Sequence, residues 1–150
     1  MPSATVDTPV GPLCLSETDG AITGLGWQWG GADDTALLRR AVDQIEAYFA
    51  GDLQVFDLPL HVAGSDFQRA VCDAMRQIPL GETRTYGDLA RVLKAPPQPI
   101  GNACGANPIP VIIPCHRVLG ANGLGGFSGR GGVETKVALL KHEGAAGLLI

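Results

Sequence analysis

Apolar residues in the first third of the chain concentrate in two short runs, residues 11–17 and 21–28, with Asp19-Gly20 between them. These are β-like runs, and Asp-Gly tolerates the positive φ angles of a tight hairpin turn. The period then changes. Leu37, Leu38, Ala41, Ile45, Tyr48 and Phe49 recur at helical spacing, with Asp33, Asp34 or Thr35 as cap and Gly51 as stop. Residues 56–63 read as a linker or a last short strand.

At Ser65 a second unit begins. Ser65-Asp66-Phe67-Gln68 has the spacing of a capping box, and Phe67, Val71, Met75 and Ile78 form the stripe of the helix that follows. Pro79-Leu80-Gly81 breaks it. A short helix is expected from Thr85 or Tyr86 to Val92-Leu93, and another over residues 100–106, its entry marked by Pro96-Pro97-Gln98-Pro99. Two short helices joined by a breaker-rich turn make a helix-turn-helix, a weak signal when taken alone. Asn107-Pro108 stops the second of them, and residues 109–113 read as a short buried β-like run ended by Pro114. Seven glycines between 119 and 132 predict a mobile loop. A last helix over 133–142 is expected to bury Val133, Val137 and Leu140, with Gly144 as its stop.

Composition narrows the class. With 150 residues, 45% hydrophobic and 17% charged, the chain suits one ordinary domain or two small ones, and disorder is not expected. No apolar stretch approaches the ~20 residues that span a bilayer, and the start lacks the pattern of a secretion signal, so a cytoplasmic protein without membrane contact is expected. Four scattered cysteines, none in CxxC spacing, predict reduced thiols. The net charge of −4 argues at first against a nucleic-acid partner, but it is unevenly distributed. Residues 1–63 carry 2 basic and 9 acidic side chains, whereas residues 64–150 carry 9 and 6, a net of +3. Phosphates respond to such a local excess rather than to the total.

Cys115 stands out chemically. It follows an apolar run and precedes His116 and Arg117, two potential cations that should lower its pKa. The competing reading is a small buried hydrophobe, the part expected of Cys14, Cys72 and Cys104. His116 points away from Cys115 if the segment is a strand, and approaches it, through one water, if it is a turn. Glu143 sits at the C-terminal end of the last helix, where the dipole disfavours a carboxylate; it either orients His116 or is a solvated surface residue. Tyr86 is either packed or a phenol donor to substrate, and side-chain chemistry alone does not choose.

The run Asn107-Pro108-Ile109-Pro110-Val111-Ile112-Ile113-Pro114-Cys115-His116-Arg117-Val118 closely resembles the active-site motif of the O6-alkylguanine-DNA alkyltransferases, or methylated-DNA–protein-cysteine methyltransferases. The likeness continues upstream in Asp66-Phe67-Gln68, Ile78-Pro79-Leu80-Gly81-Glu82-Thr83 and Thr85-Tyr86-Gly87-Asp88-Leu89-Ala90. Downstream it continues in Gly126-Phe127-Ser128-Gly129 and Leu139-Leu140-Lys141-His142-Glu143-Gly144. Residues 64–145 carry it strongly, and the first 60 look like the family's variable N-terminal domain.

The resemblance implies an α+β fold. A small N-terminal α/β, ribonuclease H-like domain would occupy residues 1–62, and a C-terminal winged helix-turn-helix domain with the active site residues 63–150. It implies a monomer that flips O6-alkylguanine from the minor-groove side of DNA and transfers the alkyl group irreversibly to Cys115. His116 would act as base through a water, Glu143 would orient it, Tyr86 would donate to guanine N3, and Asn107 would tie the helix-turn-helix to the active-site turn. The carbonyls of Cys115 and Val118 would accept from the guanine amine, Ser128 would donate near O6, and Phe127 would wall the pocket. Gly101, Ala103, Gly105 and Ala106 would let the second helix approach DNA, with Arg117 as a further DNA contact. No cofactor is implied, and Cys14 with His61 does not make the metal site of some relatives. Many relatives carry an arginine that fills the gap left by the flipped base. Gln98 stands there in this chain, without its charge or reach. A lesion binder of the same fold would lack the cysteine, and a small-molecule Cys-His-Glu hydrolase would need an oxyanion hole.

Overall fold

The computed structural model describes residues 1–121, 123–124 and 132–145. Packing divides the chain between Ala63 and Gly64 into two units. In the first, β1 (Ser3–Thr8), β2 (Gly11–Thr18) and β3 (Ala21–Gly26) form an antiparallel sheet in that order. Asp19 and Gly20 turn the β2–β3 hairpin at φ 51° and 80°. The strand β1 was not expected, because only Ala4 and Val6 of its six residues are buried apolar side chains. Helix α1 (Ala36–Phe49) starts at Thr35, whose hydroxyl accepts from the Leu38 N–H at 3.0 Å. It buries Leu38, Ala41, Ile45 and Tyr48 with Leu13, Leu15 and Ile22 of the sheet, while Leu37 and Phe49 stay half-buried. Residues 56–63 contribute one parallel bridge, Ile22 to Leu60, rather than a strand.

The second unit is helical around a very small sheet. Helix α2 (Asp66–Arg76) begins at Ser65, whose hydroxyl accepts from the Gln68 N–H at 3.1 Å. The reciprocal half of the expected box does not form, since the Gln68 amide donates instead to the Ala103 carbonyl at 2.8 Å. A complete capping box occurs at Thr85 and Asp88, opening α3 (Tyr86–Leu93). Lys94, at φ 53°, ends α3 and turns the chain into α4 (Pro97–Gly105). That helix begins three residues before the expected Ile100, because Pro97 and Pro99 lie inside its first turn, where a missing N–H costs nothing. Two-residue strands β4 (Arg84–Thr85) and β5 (Val118–Leu119) pair in parallel, Arg84 with Val118 and Thr85 with Leu119. Helix α5 (Val133–His142) follows.

Two expectations fail here for physical reasons. Residues 109–113 are not a strand: the Ile113 N–H bonds back to the Ile109 carbonyl at 2.9 Å, and Val111 takes φ 73°. Helix α5 buries Lys136, Leu139 and Leu140, whereas Val133 is 44% exposed and Val137 half-buried. Its inward stripe is 136, 139, 140 and 143, a helical spacing that begins and ends on a charged residue. The predicted mobility over 119–132 falls mostly on residues outside those described.

Candidate active site

The β4–β5 pairing places the start of α3 beside the segment that follows Cys115. Cys115, His116 and Arg117 form one 3₁₀ turn, entered from Pro114 and closed by the Val118 N–H on the Cys115 carbonyl. Asn107 ties α4 to this turn. Its N–H reaches the Cys104 carbonyl at 3.3 Å, and its side-chain amide donates to the Ile113 carbonyl at 2.8 Å. Its side-chain oxygen accepts from the Ile109 N–H at 3.0 Å. The tight turn between these anchors forces β-branched Val111 into the left-handed region, a conformation that costs about 1–3 kcal/mol.

His116 and Glu143 have fully buried side chains, and His116 Nε2 lies 2.7 Å from Glu143 Oε2. Arg117 grips the same carboxylate from the other side, Nε to Oε1 at 2.8 Å and a terminal nitrogen to Oε2 at 3.0 Å, and its other terminal nitrogen donates to the Ile78 carbonyl at 2.6 Å. A carboxylate only accepts, so Nε2 of His116 carries the ring proton. Nδ1 is then a lone pair, and it is buried without a hydrogen-bond partner among the described residues. Burial pushes the imidazole below its usual pKa, against the opposing pull of Glu143, so the resting ring is neutral.

The thiol environment differs from expectation. Burial pushes Cys115 above the ordinary thiol pKa, and the flanking cations do not reverse this. The charge of Arg117 is matched by Glu143, and His116 is neutral. What opposes burial is a hydrogen bond from Asn107 and the charge of Lys136. Lys136 is completely buried, and its Nζ donates to the Val118 carbonyl at 2.6 Å. Both carbonyls expected to receive a guanine amine therefore already accept one bond each, and each keeps a second lone pair. Tyr86 opens α3 half-buried, within electrostatic reach of Cys104 and Cys115, and burial raises its phenol so that it remains a donor. Cys104 is pushed up to about 12, chiefly by burial.

On α4, Gln98, Asn102, Gly105 and Ala106 are exposed and Gly101 is half-exposed. Among the described residues, a Cβ added at Gly101 or Gly105 would meet nothing within 4 Å. Two expected DNA contacts are not on a free surface. Ala103 is 5% exposed and turns inward with Ile100 and Cys104, as the helical period requires. Arg117 is 6% exposed, with its guanidinium nitrogens bonded to Glu143 and Ile78. Phe127 and Ser128 lie outside the described residues. The sequence reading missed Lys136, whose signal was its place at i−3 and i−4 from Leu139 and Leu140. Among the described residues no group of three His, Cys, Asp or Glu side chains could hold a metal, and no helix is long and apolar enough to cross a membrane.

Residues 66–145 match the family model described as 6-O-methylguanine DNA methyltransferase, DNA binding domain, and residues 1–62 match that of its ribonuclease-like domain. A methylated-DNA–protein-cysteine methyltransferase of Mycobacterium tuberculosis is 43% identical over 152 residues, covering 93% of this chain and 90% of the relative. One from Methanosarcina acetivorans is 38% identical over 154 residues, covering 95% and 97%. The crystal structure of Mycobacterium tuberculosis OGT in complex with DNA superposes with a TM-score of 0.85 at 43% identity, covering 95% of this chain and 92% of that one.

Proposed function

We propose that this chain, which belongs to the 6-O-methylguanine DNA methyltransferase family, repairs O6-alkylguanine in DNA by taking the alkyl group onto the Cys115 sulfur once per molecule. The observation that carries this reading is the buried His116–Glu143–Arg117 arrangement on the turn that bears Cys115, with one ring nitrogen left as a lone pair that has no partner among the described residues. Such a nitrogen is a base with no other task. The thiol proton passes to Nδ1 through one water, and the sulfur attacks the alkyl carbon in line. The S–C bond forms as the C–O6 bond breaks, and the electron pair stays on guanine. Tyr86 donates to guanine N3 and stabilises the departing base, while the second lone pairs of the Cys115 and Val118 carbonyls accept from its exocyclic amine. Glu143 fixes the tautomer of His116, and Asn107 holds the turn against α4. No cofactor enters, since the acceptor is the protein.

In this reading residues 63–150 carry both chemistry and DNA contact, and the protein acts as a monomer in the cytoplasm. The exposed side of α4, with Gln98, Gly101, Gly105 and Ala106, faces the minor groove. Gln98 stands beside the gap left by the flipped base, held by the proline-rich first turn.

Intact mass after incubation with O6-methylguanine DNA tests the whole. One methyl increment per molecule is expected, absent in Cys115→Ser. Lesion binding without an increment, or many turnovers per molecule, would overturn it.

A further inference from the structure

A sulfur that must ionise inside the fold needs a positive charge close by, and neither cation beside Cys115 in sequence provides it. Arg117 is matched by the Glu143 carboxylate, and His116 is neutral. Among the described residues, the groups within electrostatic or hydrogen-bond reach of the thiol are Tyr86 from α3, Cys104 from α4, Cys72 from α2, Asn107 after α4 and Lys136 from α5. The phenol and the two other thiols carry no charge when protonated, and all three have their pKa raised by burial. Lys136 differs from them: it is completely buried, and its Nζ is fixed at 2.6 Å on the Val118 carbonyl, one residue past the turn that carries Cys115.

We propose that Lys136 is a positioning residue for alkyl transfer: its ammonium, anchored on the Val118 carbonyl, is the counter-charge against which the Cys115 sulfur ionises. The inference rests on the reading of Cys115 as the acceptor. Lys136 keeps its proton throughout, and no bond to it forms or breaks; the thiol proton still leaves through His116. The two ionisations support each other, because burial disfavours the ammonium and Cys115 favours it. The same hydrogen bond orients the carbonyl that receives the guanine amine.

The test is an ultraviolet thiolate titration of the full chain, with Cys115→Ser as the blank. Lys136→Gln retains a donor for Val118 without the charge, and Lys136→Arg retains the charge. The Gln variant should raise the Cys115 ionisation midpoint by about one pH unit, roughly a tenfold loss of thiolate at fixed pH. Its single-turnover methyl transfer should slow by a similar factor and recover as pH rises, and Arg should restore most of the loss. A wild-type midpoint in Lys136→Gln, or an Arg variant as impaired as Gln, would overturn the proposal. If the Gln variant does not fold, reciprocity decides: the Lys136 titration followed by carbon NMR should fall to lower pH in Cys115→Ser, and an unchanged midpoint overturns the proposal. Absence of methyl transfer by the wild-type chain would defeat the functional reading while leaving these titrations interpretable.

Discussion

Both units carry ion pairs on their surface, such as Arg69–Asp66 and Arg84–Glu82 in the second, but only the second also buries charge. In the first, ionic contacts lie on the surface: Arg39 meets Asp34 at 2.8 Å with side chains 63% and 72% exposed, and Arg40 meets Asp57 at 3.3 Å. Its interior is apolar, built on Leu13, Leu15, Ile22, Leu38, Ile45 and the Tyr48 ring. In the second, Asn107, His116, Arg117, Lys136 and Glu143 are all buried, and among the described residues they are the buried polar set of the whole chain. Desolvating such groups is unfavourable unless geometry compensates. Glu143 adds a further disadvantage, standing as the C-cap of α5 where the helix dipole opposes a negative charge. A fold selected for stability alone has no use for this arrangement. The proposed removal of a proton from a buried thiol does.

The largest effect that sharpens this contrast is expected at Glu143. Glu143→Ala leaves the Arg117 guanidinium buried without its partner, and breaking a buried pair of this kind costs about 3–5 kcal/mol, measurable by urea unfolding. Methyl transfer by the protein that remains folded should fall on the order of 10²-fold as His116 loses its orientation. Ile45→Ala in α1, at a fully buried position, costs a comparable ~2–5 kcal/mol through its cavity. Its folded fraction should transfer at the wild-type rate. Equal rate losses in the two variants would erase the distinction between the units.

A second, smaller effect is a slope rather than a loss. Burial lowers the His116 pKa below 6.5, so under mildly acid conditions the unfolded chain binds a proton that the folded chain does not. Stability rises with pH wherever the unfolded state binds more protons. The His116 contribution is therefore complete above about pH 6.5 and declines as pH falls from there to the depressed folded value. His116→Gln should flatten that limb in urea midpoints measured across mildly acid pH. Ile45→Ala should displace the whole curve and leave its slope. A limb that persists unchanged in His116→Gln would locate the titration elsewhere.

The same contrast explains what could be foreseen. The hairpin at Asp19-Gly20, the Ser65 cap, a cap for α1 among Asp33, Asp34 and Thr35 and the prolines at the entry to α4 are local, and each was legible because neighbouring residues decide it. The family was legible through the twelve-residue motif around Cys115 with its companions in order. Four things were not. The strand β1 offers only two buried apolar side chains, too few to declare a period. Residues 109–113 have strand-like composition, but Asn107, from outside the run, folds them into a turn. Most telling is α5, where pattern reasoning sent Val133 and Val137 inward and did not place Lys136. The partner that makes a buried lysine tolerable is a carbonyl 18 residues away, which no local period reports. Arg117 misled for the same reason: beside a nucleophile it looks like a free cation, and its carboxylate lies 26 residues on.

The smallest effect concerns α4 and has opposite signs in fold and function. Gln98, Gly101, Asn102 and Gly105 fall at i, i+3, i+4 and i+7 on one side of the helix, away from buried Ile100, Ala103 and Cys104. Nothing among the described residues requires Gly101 to lack a side chain, since an added Cβ meets none of their atoms within 4 Å. Glycine within a helix is destabilising by roughly 0.5–1 kcal/mol relative to alanine. Gly101→Ala should therefore raise the urea midpoint slightly. If the minor groove closes on this face, the same methyl group should weaken binding to methylated duplex in fluorescence anisotropy. Gln98→Ala, with no clash to introduce, should leave that affinity nearly intact and slow transfer on duplex relative to single-stranded DNA. A stabilised Gly101→Ala with unchanged affinity would remove α4 from the DNA surface. That would leave the functional unit with its buried chemistry but a different face toward the substrate.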